Sequence, residues 1–169
     1  MENFSARRIT RIGVTAAIYV VLTLMCSQFA YQSVQFRISE AWMLLCFLNK
    51  DYIIALSIGC LISNIFSTVG MIDTVVGTAA TVIAGILIYL FRKEGSTSRL
   101  IICSLFPVIL NAVFVGAEIT ILSSEPVSFF AMALSVAIGE FVCVTILGVI
   151  LFKALEKNQM FMKTVAAKY

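Results

Sequence analysis

Carboxylates in or beside apolar segments are the residues of this chain whose type and position could do chemistry. Glu118 and Glu140 interrupt long apolar runs, Glu40 and Asp73 open two others, and Glu125 lies between two runs. No Lys or Arg occurs inside these runs. An ionisable group at bilayer depth costs roughly 2.5–3.5 kcal/mol on insertion scales, so it normally has a partner or a task. Because the chain supplies so few bases there, the pattern predicts a bound ligand that carries positive charge or several N–H donors.

Composition places the chain in a membrane. Its 169 residues are 61% apolar and 12% charged, whereas a soluble domain is typically about 25% charged. We therefore expect an all-α integral membrane protein with one membrane domain, residues 1–169. The net charge of +3 gives little support to nucleic-acid binding, because the bases lie at the ends of segments.

Several kinds of chemistry are not expected. The chain has no histidine, and its five cysteines include no Cys-x-x-Cys pair. Metal sites, cofactors and His-based catalysis are therefore not predicted. A P-loop motif is also missing, so the chain is not expected to hydrolyse ATP. The sequence predicts a protein that is not an enzyme.

Six apolar segments are candidates for transmembrane helices, since a span needs about 20 apolar residues. Between the first two, Tyr31–Ser39 alternates apolar and polar residues, which favours an extended loop, residues 30–39. The following segment, Glu40–Leu48, rises only about 14 Å as an α-helix. It is either a separate short helix or part of one long span with the next segment. The six predicted helices are residues 12–29, 40–49, 52–67, 73–91, 100–122 and 127–152, and residues 153–169 form a tail.

The distribution of basic residues decides between five and six helices. Cytoplasmic loops carry the excess of Lys and Arg. Six helices with a cytoplasmic N-terminus leave only Arg37 of the 12 bases on the outer side. Five helices would move the basic loop at residues 92–99 outside. Six helices are therefore predicted, with both termini and the tail cytoplasmic. Glu40, Asp73, Glu118 and Glu125 are then expected near the outer face, and Glu140 deeper.

Two further patterns extend the candidate sites. Ser104, Asn111 and Glu118 are spaced by seven and share a face of the fifth helix. Small and polar residues often serve interhelical packing, but intramembrane acids favour a binding cavity for Asn111, Glu118 and Glu140. On the first helix, Gly13 and Ala17, with Ala16 beside them, form a patch of small residues. The patch serves either packing within the bundle or docking of another membrane protein, and spacing leaves both open.

A resemblance covers nearly the whole chain in order. Val34–Ala41, read as VQFRISEA, resembles the first outer loop of the QueT family, the substrate-binding S components of energy-coupling-factor (ECF) transporters for queuosine precursors. The chain departs from the expected pattern at Cys46, where a proline is expected. The further matches are Ser63-Asn64, Gly70–Asp73, Gly77-Thr78, Pro107, Asn111-Ala112, Gly116–Glu118 and Gly139-Glu140.

The resemblance implies a six-helix S-component fold in a bacterial cell membrane, with a site near the outer face under the first outer loop. It also implies an ECF transmembrane coupling protein and two ECF ATPases as partners. The small patch corresponds to the surface on which that coupling protein docks. The residues expected to bind substrate are Glu140, Glu118, Asn111, Gln35, Arg37, Glu40, Asn64 and Asp73.

The implied ligand agrees with the excess of acids. A 7-deazaguanine such as the 7-aminomethyl or 7-cyano compound presents a ring N–H beside an exocyclic amine, and a carboxylate accepts both. An aminomethyl group adds a cation for a second carboxylate. Two other functions stay open: a proton- or cation-coupled secondary transporter of a small cationic solute, with Glu118 and Glu140 as relays, and a structural membrane subunit whose acids pair with a partner's bases.

Overall fold

A computed structural model describes residues 6–26, 36–66, 71–123 and 126–166. These residues form seven helices and no strand. The helices are α1 (Ala6–Met25), α2 (Ile38–Phe47), α3 (Asp51–Asn64), α4 (Met71–Phe91), α5 (Thr97–Leu122), α6 (Phe129–Glu156) and α7 (Gln159–Val165). The prediction of an all-α chain is confirmed for this part of the molecule.

Within the described residues, four helices are long and apolar enough to cross a membrane: α1, α4, α5 and α6. Helices α2 and α3 are apolar but shorter. Large apolar side chains such as Val75, Phe130 and Ile150 are more than 60% exposed, as expected for surfaces that face lipid.

The short helix α2 runs through the interior of the bundle as a 3₁₀-helix. Eight of its ten residues are buried, and it contacts α1, α3, α4, α5 and α6. A 3₁₀-helix rises about 2 Å per residue, so ten residues extend about 20 Å. Residues 48–50 separate α2 from α3. Of the two alternatives left by the sequence, the separate short helix is therefore the one observed.

Close backbone approaches hold the long helices against their neighbours. A Cβ on Gly116 would lie 2.8 Å from Cα of Ala133, so α5 and α6 touch there almost backbone to backbone. A Cβ on Gly148 would lie 3.2 Å from the carbonyl oxygen of Ala41, so the backbones of α6 and α2 are also close at this position. Small residues permit such contacts between membrane helices.

One end of the bundle, which we call the basic end, gathers the start of α1, the end of α2, the start of α3 and the end of α6. Arg8 and Arg11 of α1 both bind Asp51, the first residue of α3. Tyr52 donates a hydrogen bond to the carbonyl oxygen of Val165 at 3.2 Å, which fixes α7 at this end.

Several predicted boundaries need correction. Helix α1 begins at Ala6 rather than at residue 12, α6 continues to Glu156 rather than 152, and the predicted tail therefore contains the end of α6 and all of α7. Helix α5 begins at Thr97 because Ser96 caps it, accepting a hydrogen bond from the Arg99 backbone N–H, after a turn at Gly95 with φ of 78°. The apolar runs located the apolar part of these helices and missed the polar turns that extend them.

Candidate functional site

The opposite end of the bundle, which we call the acidic end, holds four buried carboxylates from four helices. Glu40 lies near the start of α2, Asp73 near the start of α4, Glu118 near the end of α5 and Glu140 in the middle of α6. All four side chains belong to residues at most 5% exposed. Arg37, just before α2, is 1% exposed and lies among them.

Arg37 joins the beginnings of α2 and α4 to the end of α3. Its Nη2 donates to Oδ1 of Asn64 at 3.2 Å and lies 3.5 Å from Oδ1 of Asp73. The Nδ2 of Asn64 in turn donates to the backbone carbonyl of Asp73 at 3.2 Å. Gly77 lies against this group, and a Cβ there would be 2.5 Å from Nδ2 of Asn64. Arg37, Asn64 and Asp73, predicted separately as site residues, therefore form one cluster.

Glu40 has a partner that sequence reasoning missed. The hydroxyl of Tyr19, on α1, donates a hydrogen bond to Oε1 of Glu40. One turn further along α1, the Thr23 hydroxyl lies 2.6 Å from Oγ of Ser39. Tyr19 and Thr23 follow Ala16 at helical spacing on the buried face of α1. That spacing was the signal in the sequence, because residues three and four apart share one face of a helix.

Glu140 is completely buried. Asn111 of α5 lies beside it, and Glu40 and Arg37 lie within electrostatic range. No hydrogen bond of ordinary geometry reaches either of its carboxylate oxygens from the described residues. Directly after Glu140, α6 becomes a π-helix over Phe141–Gly148. Such segments are rare and often occur at functional sites.

Glu118 lies at the edge of the acidic end. Asp73 and Arg37 are within electrostatic range of it, and neither of its carboxylate oxygens has a hydrogen-bond partner among the described residues. It also lines a cavity of about 420 Å³ between α4 and α5, whose other walls are apolar. Asn111 and Ser104 share its buried face, as the spacing of seven predicted.

Among the described residues, the acidic end is therefore rich in acceptors and poor in donors. If all its acids are ionised, four carboxylates face one guanidinium, an excess of three negative charges. Oε2 of Glu40 and both carboxylate oxygens of Asp73, Glu118 and Glu140 accept no hydrogen bond from the described residues. Leaving buried acceptors unsatisfied costs about 1–3 kcal/mol each, and more when they are charged. This arrangement suits a ligand with several N–H donors or a positive charge.

Two other groups of predicted residues have different outcomes. Gln35, most of the predicted outer loop and Glu125 lie outside the described residues. The extended segment predicted to reach Ser39 is wrong at its end, because Ile38 and Ser39 already belong to α2. Within the described residues, no group of three or more His, Cys, Asp or Glu is placed to hold a metal ion.

The small residues of α1 divide between two faces. Gly13 and Ala17 are exposed, whereas Ala16 is 6% exposed and faces the bundle. A Cβ on Gly13 would meet nothing within 4 Å. Gly13 and Ala17 therefore form an open patch of low relief, while Ala16 serves internal packing.

Comparison with known proteins identifies a family and a relative of this chain. The QueT transporter family matches residues 9–157. A curated relative, described as "Queuosine precursor transporter QueT" of Lactococcus lactis subsp. cremoris (strain MG1363), is 38% identical over 99 residues. That alignment covers 56% of this chain and 58% of the relative, so the two match over little more than half of their lengths. No solved structure matches the chain.

The family and the relative are transporters rather than enzymes, in agreement with the prediction from the sequence. Together with four apolar helices of spanning length, this identifies a multi-pass protein of the bacterial cell membrane. With a match over residues 9–157, the chain belongs to the QueT transporter family.

Proposed function

We propose that this chain is the substrate-binding subunit, or S component, of an ECF-type uptake transporter and that it captures a 7-deazaguanine precursor of queuosine. The observation that carries the proposal is the set of buried carboxylates at the acidic end, most of whose oxygens accept no hydrogen bond from the described residues. The name of the Lactococcus relative supports the substrate class.

The ligand's hydrogen-bonding edge suits these acids. The ring N–H and the exocyclic amine of a 7-deazaguanine are adjacent donors, and one carboxylate accepts both in a charge-assisted pair. Neither oxygen of Glu118 or of Glu140 accepts a hydrogen bond of ordinary geometry from the described residues, so both side chains suit this contact. Asn111, beside Glu140, offers an amide for the ring carbonyl and the neighbouring nitrogen.

The surplus of acids favours the aminomethyl precursor over the cyano precursor. After one carboxylate has bound the ring edge, Glu40 and Glu140 still place two acids within electrostatic range of each other. An ammonium group supplies three donors and a charge that offsets theirs. A nitrile supplies only an acceptor, which leaves a buried acid unpaired at a cost of several kcal/mol.

The remaining parts of the proposal concern orientation and partners. Six membrane passes with cytoplasmic termini put the basic end inside, as the Lys and Arg distribution favours. The acidic end then opens to the outside, and the outer loop predicted as residues 30–39 is the proposed gate. An ECF transmembrane coupling protein docks on Gly13 and Ala17, and two ECF ATPases supply the energy. The exposure of that patch supports docking over internal packing.

Binding to the purified chain tests the substrate assignment. We expect stoichiometric binding of 7-aminomethyl-7-deazaguanine by calorimetry, weaker binding of the 7-cyano compound, and the precursor in mass spectra of co-purifying small molecules. Absence of binding by both compounds would contradict the proposal. Uptake into vesicles by this chain alone, driven by a proton gradient without ATPases, would establish the secondary-transporter alternative instead.

A substitution on α1 tests the docking surface. Ala17→Trp should leave ligand binding by the isolated chain intact and abolish ATP-driven uptake by the assembled complex, because a bulky side chain prevents close helix approach. Ile150→Trp, at an exposed position of α6, is the matched control and should preserve uptake. Equal uptake by both variants would remove the patch from the interface.

A further inference from the structure

The Tyr19–Glu40 hydrogen bond connects α1 to the start of α2 at the acidic end. The site predicted from the sequence does not include Tyr19. Tyr19 is 1% exposed and Glu40 is fully buried. The Tyr19 hydroxyl donates to Oε1, while Oε2 of the same carboxylate accepts no hydrogen bond from the described residues. One oxygen of Glu40 is therefore held by the protein and the other is available.

The surroundings leave Tyr19 little freedom to move. A Cβ on Gly59 of α3 would lie 2.9 Å from Cβ of Tyr19, so the two helices meet closely at this residue. The Thr23–Ser39 contact at 2.6 Å fixes the same pair of elements, α1 and the start of α2, one turn away. The phenol thus reaches Glu40 from a rigid position. Such rigid support is what keeps a binding group within about 0.5 Å of its productive geometry.

We propose that Tyr19 is a positioning residue of the binding site, which holds Glu40 so that its second oxygen receives the cationic substituent of the ligand. This inference rests on the proposed function, because it assigns Glu40 to the aminomethyl end of a 7-deazaguanine. Glu40 and Glu140 lie within electrostatic range of each other, and an ammonium group has three N–H donors, enough for both. The hydroxyl of Tyr19 keeps Glu40 oriented and stabilises its negative charge when the cation is bound.

The test compares two ligands across a double-mutant cycle in the full-length chain. Tyr19→Phe keeps the ring that packs against Gly59 and removes only the hydroxyl. Dissociation constants for the 7-aminomethyl and 7-cyano compounds are measured for the wild type, Tyr19→Phe, Glu40→Gln and the double variant. Thr23→Val, which removes the neighbouring contact to Ser39, is the matched control.

Tyr19→Phe should weaken the aminomethyl ligand roughly tenfold, the size expected for one hydrogen bond to a charged group. It should change affinity for the cyano ligand by less than about twofold and have no further effect in the Glu40→Gln background. Thr23→Val should leave the ratio of the two affinities unchanged.

Three outcomes overturn the inference. Equal losses for both ligands in Tyr19→Phe would assign the hydroxyl to packing, and additive losses in the double variant would separate it from Glu40. Retention of the aminomethyl preference by Glu40→Gln would refute the assignment even if Tyr19→Phe fails to fold. In each case the wild type still binds, so only this inference falls; a wild type that binds neither compound removes the proposed function as well.

Discussion

The two ends of the bundle treat buried acids in opposite ways. At the basic end, Asp51 is bound by two arginines: Nη2 of Arg8 lies 2.7 Å from Oδ1, and Nη2 of Arg11 lies 2.5 Å from Oδ2. The backbone N–H of Asp51 also donates to Asn49 at 3.0 Å. At the acidic end, four carboxylates share the single guanidinium of Arg37 among the described residues, and most of their oxygens accept no hydrogen bond.

Under the proposed function, the difference separates a structural acid from acids that bind the ligand. A buried ion pair with good geometry offsets the cost of desolvating its charges, so Asp51 is explained by its role in fixing α1 against α3. Buried acceptors that accept no hydrogen bond from the described residues are costly to the folded chain, a cost that the proposed ligand would offset. Stability should therefore depend on the basic end, and affinity on the acidic end.

The largest effect on stability is expected at Asp51. Asp51→Asn removes the carboxylate charge that both Arg8 and Arg11 contact, and breaking a buried ion pair typically costs about 3–5 kcal/mol. The variant should unfold at markedly lower temperature or denaturant concentration in detergent solution. Glu156→Gln is the control, because its pair with Lys153 is about one-third exposed and such pairs contribute about 0–1 kcal/mol. Equal stability of the two variants would contradict the structural role of Asp51 at the basic end.

The acids in the membrane interior should show the reverse behaviour. Glu140→Gln and Glu118→Gln keep the size of the side chain and remove its charge, so neither should lower the free energy of unfolding. Losing one partner of a buried charged hydrogen bond costs about 2–5 kcal/mol, so the aminomethyl ligand should bind at least tens-fold more weakly. Calorimetry and thermal unfolding on the same preparations separate the two effects. Wild-type affinity in both variants would exclude these residues from the site.

The sequence predicted the acids but not how they are arranged. Asn111 and Glu118 were placed on one buried face because helical periodicity fixes which residues share a face. The Arg37–Asn64–Asp73 cluster and the Tyr19–Glu40 bond join different helices, and periodicity within one segment carries no information about register between segments. The 3₁₀ geometry of α2 was likewise hidden, because an apolar run of ten residues is compatible with more than one helix type.

Helix ends were the other source of error. Arg7, Arg8 and Arg11 made the start of α1 read as a polar flank, yet Arg8 and Arg11 lie within the helix and bind Asp51. Long basic side chains can place their charge at an interface or on a partner while the backbone stays helical. Hydropathy therefore located the part of the helix in contact with apolar surroundings rather than its full length.

The smallest effect is expected at Arg37. Among the described residues it is the base that pairs with an acid at the acidic end, as Arg8 and Arg11 do at the basic end. Arg37 is paired with a carboxylate of the acidic end, since its Nη2 lies 3.5 Å from Oδ1 of Asp73. Arg37→Lys keeps the charge but loses the guanidinium Nη2 that contacts both Asn64 and Asp73. The segment before α2 should then be held less firmly, and ligand release measured by stopped flow should be about fivefold faster, the equivalent of one hydrogen bond of about 1 kcal/mol.

Gly77→Ala perturbs the same cluster through Asn64 without changing Arg37 and should also speed release. If both variants release ligand at the wild-type rate, the cluster is structural like Asp51, and the contrast between the two ends then rests on Glu40, Glu118 and Glu140 alone.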